Sequence, residues 1–300
     1  MYTILGATGN IGSVITKILL EKGEKVRVIG RNAGKLQAFA QKGAEAVVAD
    51  VKDTDALTKA LTGVRAAFLM VPPGMTSPDY RAEQDVETSA IASAVKNSGL
   101  PYAVNLSSIG AQAPAGTGPI QGLHAFENKL NAVERLKVLH LRPAYFMENH
   151  LSAIGMIKMM GIYAGAVKPD LKIPMIATRD IGAYAAERLL KLDFSGHQTQ
   201  ELLGERDLSM PEAAAAIGKA IAKADLQYVQ FAYEQVEQAL VQMGIPAKTA
   251  AYMIEMFQGF NNGTVVGLEV RSAANSTPTT IEAFAKEVFA PAYQGAAVGA

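Results

Sequence analysis

The sequence predicts an α/β fold: a doubly wound parallel sheet, followed by a smaller, mainly helical C-terminal domain that covers a substrate. Three observations carry this. Strand-like and helix-like segments alternate through the first half of the 300 residues. The strand-like runs are mostly apolar, as strands covered on both faces are. A glycine loop, Gly6-Ala7-Thr8-Gly9-Asn10-Ile11-Gly12, joins the first strand to the first helix.

Thr3–Leu5 is a short apolar strand. Ile11–Lys22 carries Ile11, Val14, Ile15, Ile18 and Leu19 at helical spacing, and Gly23 ends it as a left-handed residue would. Lys25–Ile29 is the second strand, Lys35–Lys42 a helix ended by Gly43, and Ala46–Ala49 a third strand running into Asp50. A helix over Thr54–Leu61 follows, then a strand over Ala66–Val71 that Pro72-Pro73 stops. Helix Glu83–Ser98, strand Tyr102–Leu106, helix Ala125–Arg135 and strand Lys137–Leu141 complete the alternation. Right-handed crossovers put the C-terminal ends of all these strands on one edge, where ligands bind.

Past residue 150 the alternation breaks. Asn149–Gly161 reads as helical, Thr178–Leu190 as a helix opened by Thr178 and Asp180, and Gln200–Leu203 as a strand. Pro211–Lys223 is a helix capped by Ser209, with Pro211 at its start. Gln230–Met243 and Lys248–Asn261 are helices parted by Gly244-Ile245-Pro246, and a last helix, Ile281–Phe289, stops at Pro291. The Ala- and Gly-rich tail beyond Pro291 is expected to fray. Residues 1–150 are thus expected to bind a dinucleotide and 151–300 to cover the substrate, with about 174–195 packing back on the first domain.

An apolar content of 49% suffices for a sizeable core, and 28 Lys+Arg against 28 Asp+Glu leave no net field to attract nucleic acid or an anionic membrane. With no cysteine there are no disulfides, thiolate nucleophiles or cysteine zinc sites, and no His/Asp/Glu spacing suggests a metal. The first strand begins too early for a cleavable leader. The greasiest later stretch, Ile154–Val167, is too short to span a bilayer and carries Lys158. A soluble, cytoplasmic protein is expected.

In the loop, Gly6 permits a tight turn, Gly9 lets backbone approach a phosphate, and Gly12 lets helix and strand pack closely, with Thr8, Asn10 and Ile11 also expected among the cofactor-binding residues. The strand before the loop and the helix after it are the context that makes such a motif a dinucleotide site. Gly30-Arg31-Asn32 follows the second strand and contains no acid. Arg31 could fork to a ribose 2′-phosphate, with Lys35 as a second cation, or be an ordinary loop arginine; the former selects NADP(H) over NAD. Asp50 either meets the adenine amino group or caps the turn into Lys52–Asp55. Met70, Val71 and Pro72 either border the inner ribose or belong to core and strand stop. Ser107-Ser108 either polarise a bound carbonyl or satisfy a strand end.

The glycine loop, Gly30-Arg31-Asn32, Val104-Asn105-Leu106-Ser107-Ser108, Leu141-Arg142-Pro143 and Thr178-Arg179-Asp180-Ile181-Gly182-Ala183-Tyr184 together resemble the NmrA-like branch of atypical short-chain dehydrogenases/reductases. The likeness is generic from about Gln227 onward. It implies a Rossmann domain that binds NADP(H), with Arg31 at the 2′-phosphate and Pro143, Tyr145 and Phe146 flanking the nicotinamide. Members of the branch include quinone, azo-dye, triphenylmethane-dye and phenylpropanoid reductases, and regulators that bind the dinucleotide without turnover.

Ordinary short-chain reductases use Tyr-x-x-x-Lys, which sets a proton donor and a ribose-binding lysine on one helical face. The pattern is absent from this chain; the matching segment, His124-Ala125-Phe126-Glu127-Asn128-Lys129, keeps Lys129 but has Ala125 where tyrosine belongs. Lys129 is then a donor or a ribose anchor, His124 a donor or a capping histidine, and Tyr145 a donor or a packing aromatic. His140 sits within a strand, His150 and His197 show no partner in the sequence, and Met156, Met159 and Met160 are a pliable substrate wall or plain core. Hydride transfer to a quinone or electron-poor dye needs no dedicated protein acid. Two functions follow: an NADPH-dependent reductase of small aromatic acceptors, or an NADP(H) sensor acting through a protein partner. Homo-oligomerisation stays open.

Overall fold

The computed structural model describes residues 1–295. Its first half runs β1 (Tyr2–Leu5), α1 (Asn10–Glu21), β2 (Val26–Gly30), α2 (Ala33–Ala40), β3 (Glu45–Val48), α3 (Thr54–Leu61), β4 (Ala66–Leu69), α4 (Tyr80–Ser98), β5 (Tyr102–Leu106), α5 (Ile120–Asn131) and β6 (Lys137–Pro143). The second half runs β7 (Tyr145–Phe146), a 3-10 turn (Met147–Ala153), α6 (Ile154–Met160), β8 (Tyr163–Gly165), β9 (Ile173–Ile176), α7 (Thr178–Lys191), β10 (His197–Leu202), β11 (Asp207–Leu208), α8 (Met210–Ala220), β12 (Tyr228–Gln230), α9 (Tyr233–Gln242), α10 (Ala247–Asn262), α11 (Ile281–Phe284), a π-helical turn (Ala285–Phe289) and α12 (Ala290–Tyr293).

Seven parallel strands form the central sheet in the order β10-β6-β5-β4-β1-β2-β3. Successive side chains alternate between its two apolar layers. Ile4, Val28 and Phe68 face one layer with Ile11, Ile15, Ile181 and Leu189, while Leu5, Ile29 and Leu69 face the other with Leu57, Ile91 and Phe126. Burial on both faces explains why the strand sequences lack polar alternation. β1 and β4 are neighbours although far apart in sequence, so the winding reverses between them and their C-terminal ends open a crevice.

The second half returns to this sheet twice. α7 lies on α1, where a Cβ at Gly182 would stand 2.7 Å from the Val14 side chain and 3.0 Å from the Ile11 carbonyl oxygen, so glycine is what lets the helices touch. β10, which sequence reasoning assigns to the covering domain, is instead the edge strand beside β6. Three-stranded β11-β9-β7 and two-stranded β12-β8 form separate small sheets.

Several boundaries depart from sequence expectation. α5 begins five residues before the expected Ala125, directly after Pro119, because Ile120 seats in the core. His124 therefore lies in the body of the helix rather than at its start. Gln230 ends a strand, since Tyr228–Gln230 pairs with Tyr163–Gly165 before α9 begins. The helical stretch expected over Asn149–Gly161 is present as a 3-10 helix, Met147–Ala153, that runs into α6. α7 is capped from outside: the Glu148 carboxylate accepts hydrogen bonds from the Thr178 amide (3.0 Å) and hydroxyl (2.6 Å). Pro291 does not stop the last helix. It occupies the first turn of α12, where a missing N–H costs little, after the π turn has reset the ladder. Of the tail beyond Pro291 expected to fray, Ala292 and Tyr293 belong to α12, while residues 296–300 lie outside the described residues. Ser209 caps α8 as expected, in a reciprocal capping box with Glu212. Among the described residues no helix is long and apolar enough to cross a membrane.

Candidate functional site

Gly6 adopts φ +65°, and a Cβ there would lie 2.7 Å from the Met70 sulfur. At Gly12 a Cβ would stand 2.3 Å from the Gly6 carbonyl oxygen, so the helix can start this close to the strand only without side chains. Gly9 is the N-cap of α1 and provides no side-chain cap, and the first turn carries no acid. The leading amides are thus left for an external acceptor at the positive end of the helix dipole, which is the donor set a pyrophosphate needs. Thr8, Asn10 and Ile11 belong to the same loop, Asn10 exposed and Ile11 buried beneath it.

Toward β2 and β3, Arg31 is exposed, while the Asn32 side chain accepts from the Lys35 amide (2.9 Å) and so caps α2. Asp50 Oδ1 accepts from the Lys52 amide (2.9 Å), forming the turn cap named as one of its two readings. Lys52 pairs with Glu83 on α4. Sequence reasoning missed Glu87, one turn further along α4. It is 5% exposed, one of its carboxylate oxygens has no partner, and burial beside Glu83 pushes it up to about 7, with Lys52 and Arg31 pulling the other way.

Toward β5 and β6, Met70, Val71 and Pro72 follow β4 and are partly exposed, Pro143 ends β6 buried, and Phe146 is partly exposed on β7. Ser107 donates to Glu127 Oε1 (2.5 Å), and Ser108 donates to the Ile109 carbonyl (2.9 Å). Neither hydroxyl hydrogen is free for a ligand. Arg142 grips Glu127 with Nε (2.9 Å) and Nη2 (2.5 Å). Burial opposes the Arg142 charge, but the hydrogen-bonded Glu127, together with Glu201 and Glu269, outweighs it and raises the guanidinium above its usual range. The Glu127 carboxylate had no sequence signal beyond its place beside Lys129.

The three proton-donor candidates are not brought together. Lys129 lies against α4 and donates to Thr88 Oγ1 (2.7 Å), Ser89 Oγ (3.0 Å) and the Asp85 carbonyl (3.3 Å). His124 Nδ1 meets the Ala111 carbonyl (2.8 Å), which can only accept, so Nδ1 carries hydrogen and Nε2 accepts from Asn128 (3.0 Å). Tyr145 stands just past the C-terminal end of β6, partly exposed, its ring edge-on to Phe260 of α10 at 6.1 Å. Burial raises its hydroxyl to about 12, partly offset by the neighbouring Tyr163 hydroxyl. His140 is a core residue between Asn105 (3.0 Å) and Asn131 (2.9 Å), pushed down to about 4 by burial. Met159 and Met160 are exposed at 81% and 60%.

α10 covers this end of the sheet. Lys248 pairs with Asp79 (2.5 Å), Thr249 donates to the Ser77 carbonyl (2.9 Å), and Gln121 of α5 donates to Glu255 (2.7 Å). Among the described residues no cluster of His, Asp and Glu could hold a metal ion.

The sequence matches the model of the NmrA-like family over residues 2–285. It is 30% identical over 261 residues to an NAD(P)H azoreductase of Xenophilus azovorans, covering 86% of each chain. It is 27% identical over 270 residues to quinone oxidoreductase 2 of Escherichia coli strain K12, covering 88% of this chain and 89% of the other. The crystal structure of an NADPH-dependent quinone oxidoreductase from Escherichia coli complexed with NADPH superposes with a TM-score of 0.82 at 24% identity, covering 96% of this chain and all of the other. At that identity the likeness is one of fold.

Proposed function

This chain belongs to the NmrA-like family, and from that premise we propose that it is an NAD(P)H-dependent oxidoreductase that passes hydride to a small aromatic acceptor such as a quinone or a dye. The observation that carries the reading is the cradle at the start of α1, where Gly6, Gly9 and Gly12 leave uncapped amides facing the crevice between β1 and β4. From there the C-terminal edge runs past Arg31 and Asp50 on one side, fitting an adenosine with a 2′-phosphate. On the other side it runs to Met70, Val71, Pro72, Pro143, Tyr145 and Phe146, fitting a nicotinamide. The relatives bearing azoreductase and quinone oxidoreductase names support turnover rather than sensing alone.

The bound dinucleotide supplies hydride; the chain's own residues hold, orient and shield. Arg31 would fix the adenosine end, the loop amides the phosphates, and the wall from Pro143 to Phe146 the reacting ring, with α10 and Phe260 limiting water. A quinone or azo group spreads the arriving charge, so solvent can deliver the proton. The test is NADPH oxidation followed by absorbance against quinones, azo dyes and triphenylmethane dyes. Turnover on one of these classes is expected, and silence across the panel with tight NADPH binding overturns the reading.

A further inference from the structure

We propose that α10 is a lid over the dinucleotide crevice, latched at its N-terminal end onto the loop between β4 and α4. Releasing the latch lets NADPH enter and leave, a role that rests on the crevice being the dinucleotide site.

The latched loop, residues 70–79, begins at the glycine cradle and ends at α4. A Cβ at Gly6 would lie 2.7 Å from the sulfur of Met70, so the loop leaves β4 directly against the cradle. Asp79 at its other end is the N-cap of α4, with Oδ1 accepting from the Ala82 amide (3.1 Å). The segment therefore rims the mouth of the crevice between β1 and β4. The first turn of α10 holds it there. Lys248 Nζ donates to Asp79 Oδ2 (2.5 Å), and Thr249 Oγ1 donates to the Ser77 carbonyl (2.9 Å). Asp79 is thus shared, one oxygen fixing the start of α4 and the other fixing the lid.

Further contacts follow along α10 at steps of three and four residues, on one helical face. A Cβ at Gly118 would stand 2.0 Å from the Tyr252 carbonyl oxygen and 3.0 Å from the Met256 amide nitrogen. One at Gly259 would stand 2.8 Å from the Gly116 carbonyl oxygen. Phe260 meets Tyr145 edge-on, while the Asn261 side chain donates to the Ala166 carbonyl (2.8 Å) and accepts from the Lys168 amide (2.8 Å). A single helix thus runs from the β4 loop, past the β5–α5 loop, to the wall at Tyr145.

Its two ends are held differently. The far end carries the buried Phe260 ring and the doubly bonded Asn261. At the near end only Thr249 and the small Ala250 are buried, and the ion pair leaves the Lys248 and Asp79 side chains 57% and 43% exposed. An exposed ion pair and a single hydrogen bond each contribute little, so the near end is the one that opens. α9, which precedes it, has no buried residue to restrain the movement. Gly244 (φ +89°) before α10 and Gly263 (φ +82°) after it have nothing within 4 Å of where a Cβ would lie, and both can absorb the backbone rotation of a swing. Both partners of each link belong to the chain, so the latch is available to the empty and the loaded site alike. Weakening it speeds entry and exit together and leaves affinity in place.

The test is stopped-flow fluorescence of NADPH with the full chain, for association and dissociation rates, with Kd from calorimetry. Lys248→Met and Thr249→Val should each raise both rates about 3- to 10-fold and leave Kd within about twofold. Because the chain contains no cysteine, Asp79→Cys/Lys248→Cys supplies the only thiols, which a disulfide-containing bis-maleimide can bridge. The bridged chain should neither admit NADPH nor release NADPH bound beforehand, and cleaving the linker with a reductant should restore both. Wild-type rates in the two single variants, or wild-type exchange in the bridged chain, overturn the proposal. A weaker Kd with an unchanged association rate also overturns it, since Lys248 and Thr249 would then be ligand contacts. Failure of the wild-type chain to bind NADPH defeats the cofactor reading instead. Amide hydrogen exchange still decides the latch in that case: α10 should exchange faster in Lys248→Met and slower in the bridged chain, and equal exchange in all three overturns it.

Discussion

The Glu127 carboxylate of α5 is held from three sides, by Arg142 Nε at 2.9 Å, Arg142 Nη2 at 2.5 Å and Ser107 Oγ at 2.5 Å, with Glu127 itself only 5% exposed. The cluster ties β5, α5 and β6 together directly beneath the C-terminal edge of the sheet. Removing one partner leaves the other charge buried and alone, which costs more than removing both. Glu127→Leu should destabilise the fold by about 3–5 kcal/mol, and Glu127→Leu/Arg142→Met should recover part of that loss. Urea unfolding of the two variants checks it; a double variant no more stable than the single one would remove the ion-pair explanation.

Arg31 is exposed at the end of β2, and no acid follows that strand before Glu45. Arg31→Ala should weaken NADPH binding about 10- to 100-fold and leave NADH binding within about twofold, because only the 2′-phosphate loses a charge-assisted partner. Calorimetry with both nucleotides measures this, and equal losses for the two would show that Arg31 contacts something other than the 2′-phosphate.

Lys129 donates to Thr88, Ser89 and Asp85 on α4. Lys129→Met should therefore cost about 1 kcal/mol of stability and leave kcat within about twofold. A hundredfold fall in kcat with an intact fold would return the lysine to the chemistry that its place in the sequence motif suggests.

Glu87 gives stability a pH dependence of unusual sign. Its carboxyl lies near 7 in the folded chain against an ordinary 4.5, so between those values the folded state holds a proton that the unfolded state has released. Stability should consequently fall as pH rises from about 4.5 to about 7. Glu87→Gln should remove that fall, gaining about 1–3 kcal/mol at pH 8 and little at pH 4. Thermal melts across that range decide; an equal effect of the substitution at both ends would mean that packing, not charge, is what changed.

The cradle was legible because its signal is local. Gly6, Gly9 and Gly12 sit at fixed offsets between a strand and a helix, and the close approach they permit follows from the backbone alone. Strand character was legible for the same reason, since the inner strands of a sheet covered on both faces are mostly apolar rather than alternating. Lys129 shows where such reading stops. Its spacing from Ala125 places it on a helix face, but which neighbour that face meets depends on α4, whose contact with α5 is set by packing. Ser107 is similar: its position at the end of β5 was plain, yet Glu127, twenty residues on, claims its hydroxyl.

By itself the sequence determined the parallel sheet, the glycine cradle, the basic residue after β2 and the family, because each is written in short-range pattern. The tertiary structure alone decided that β10 closes the sheet, that α10 lies over its C-terminal edge and that Lys129 turns to α4. It alone also brought Tyr145 of β7, His150 of the 3-10 turn and Tyr163 of β8 into one nest. Those three residues lie within nineteen positions of one another, but the chain reverses between them, and hydrogen-bond direction depends on burial and partners that no spacing in the sequence encodes.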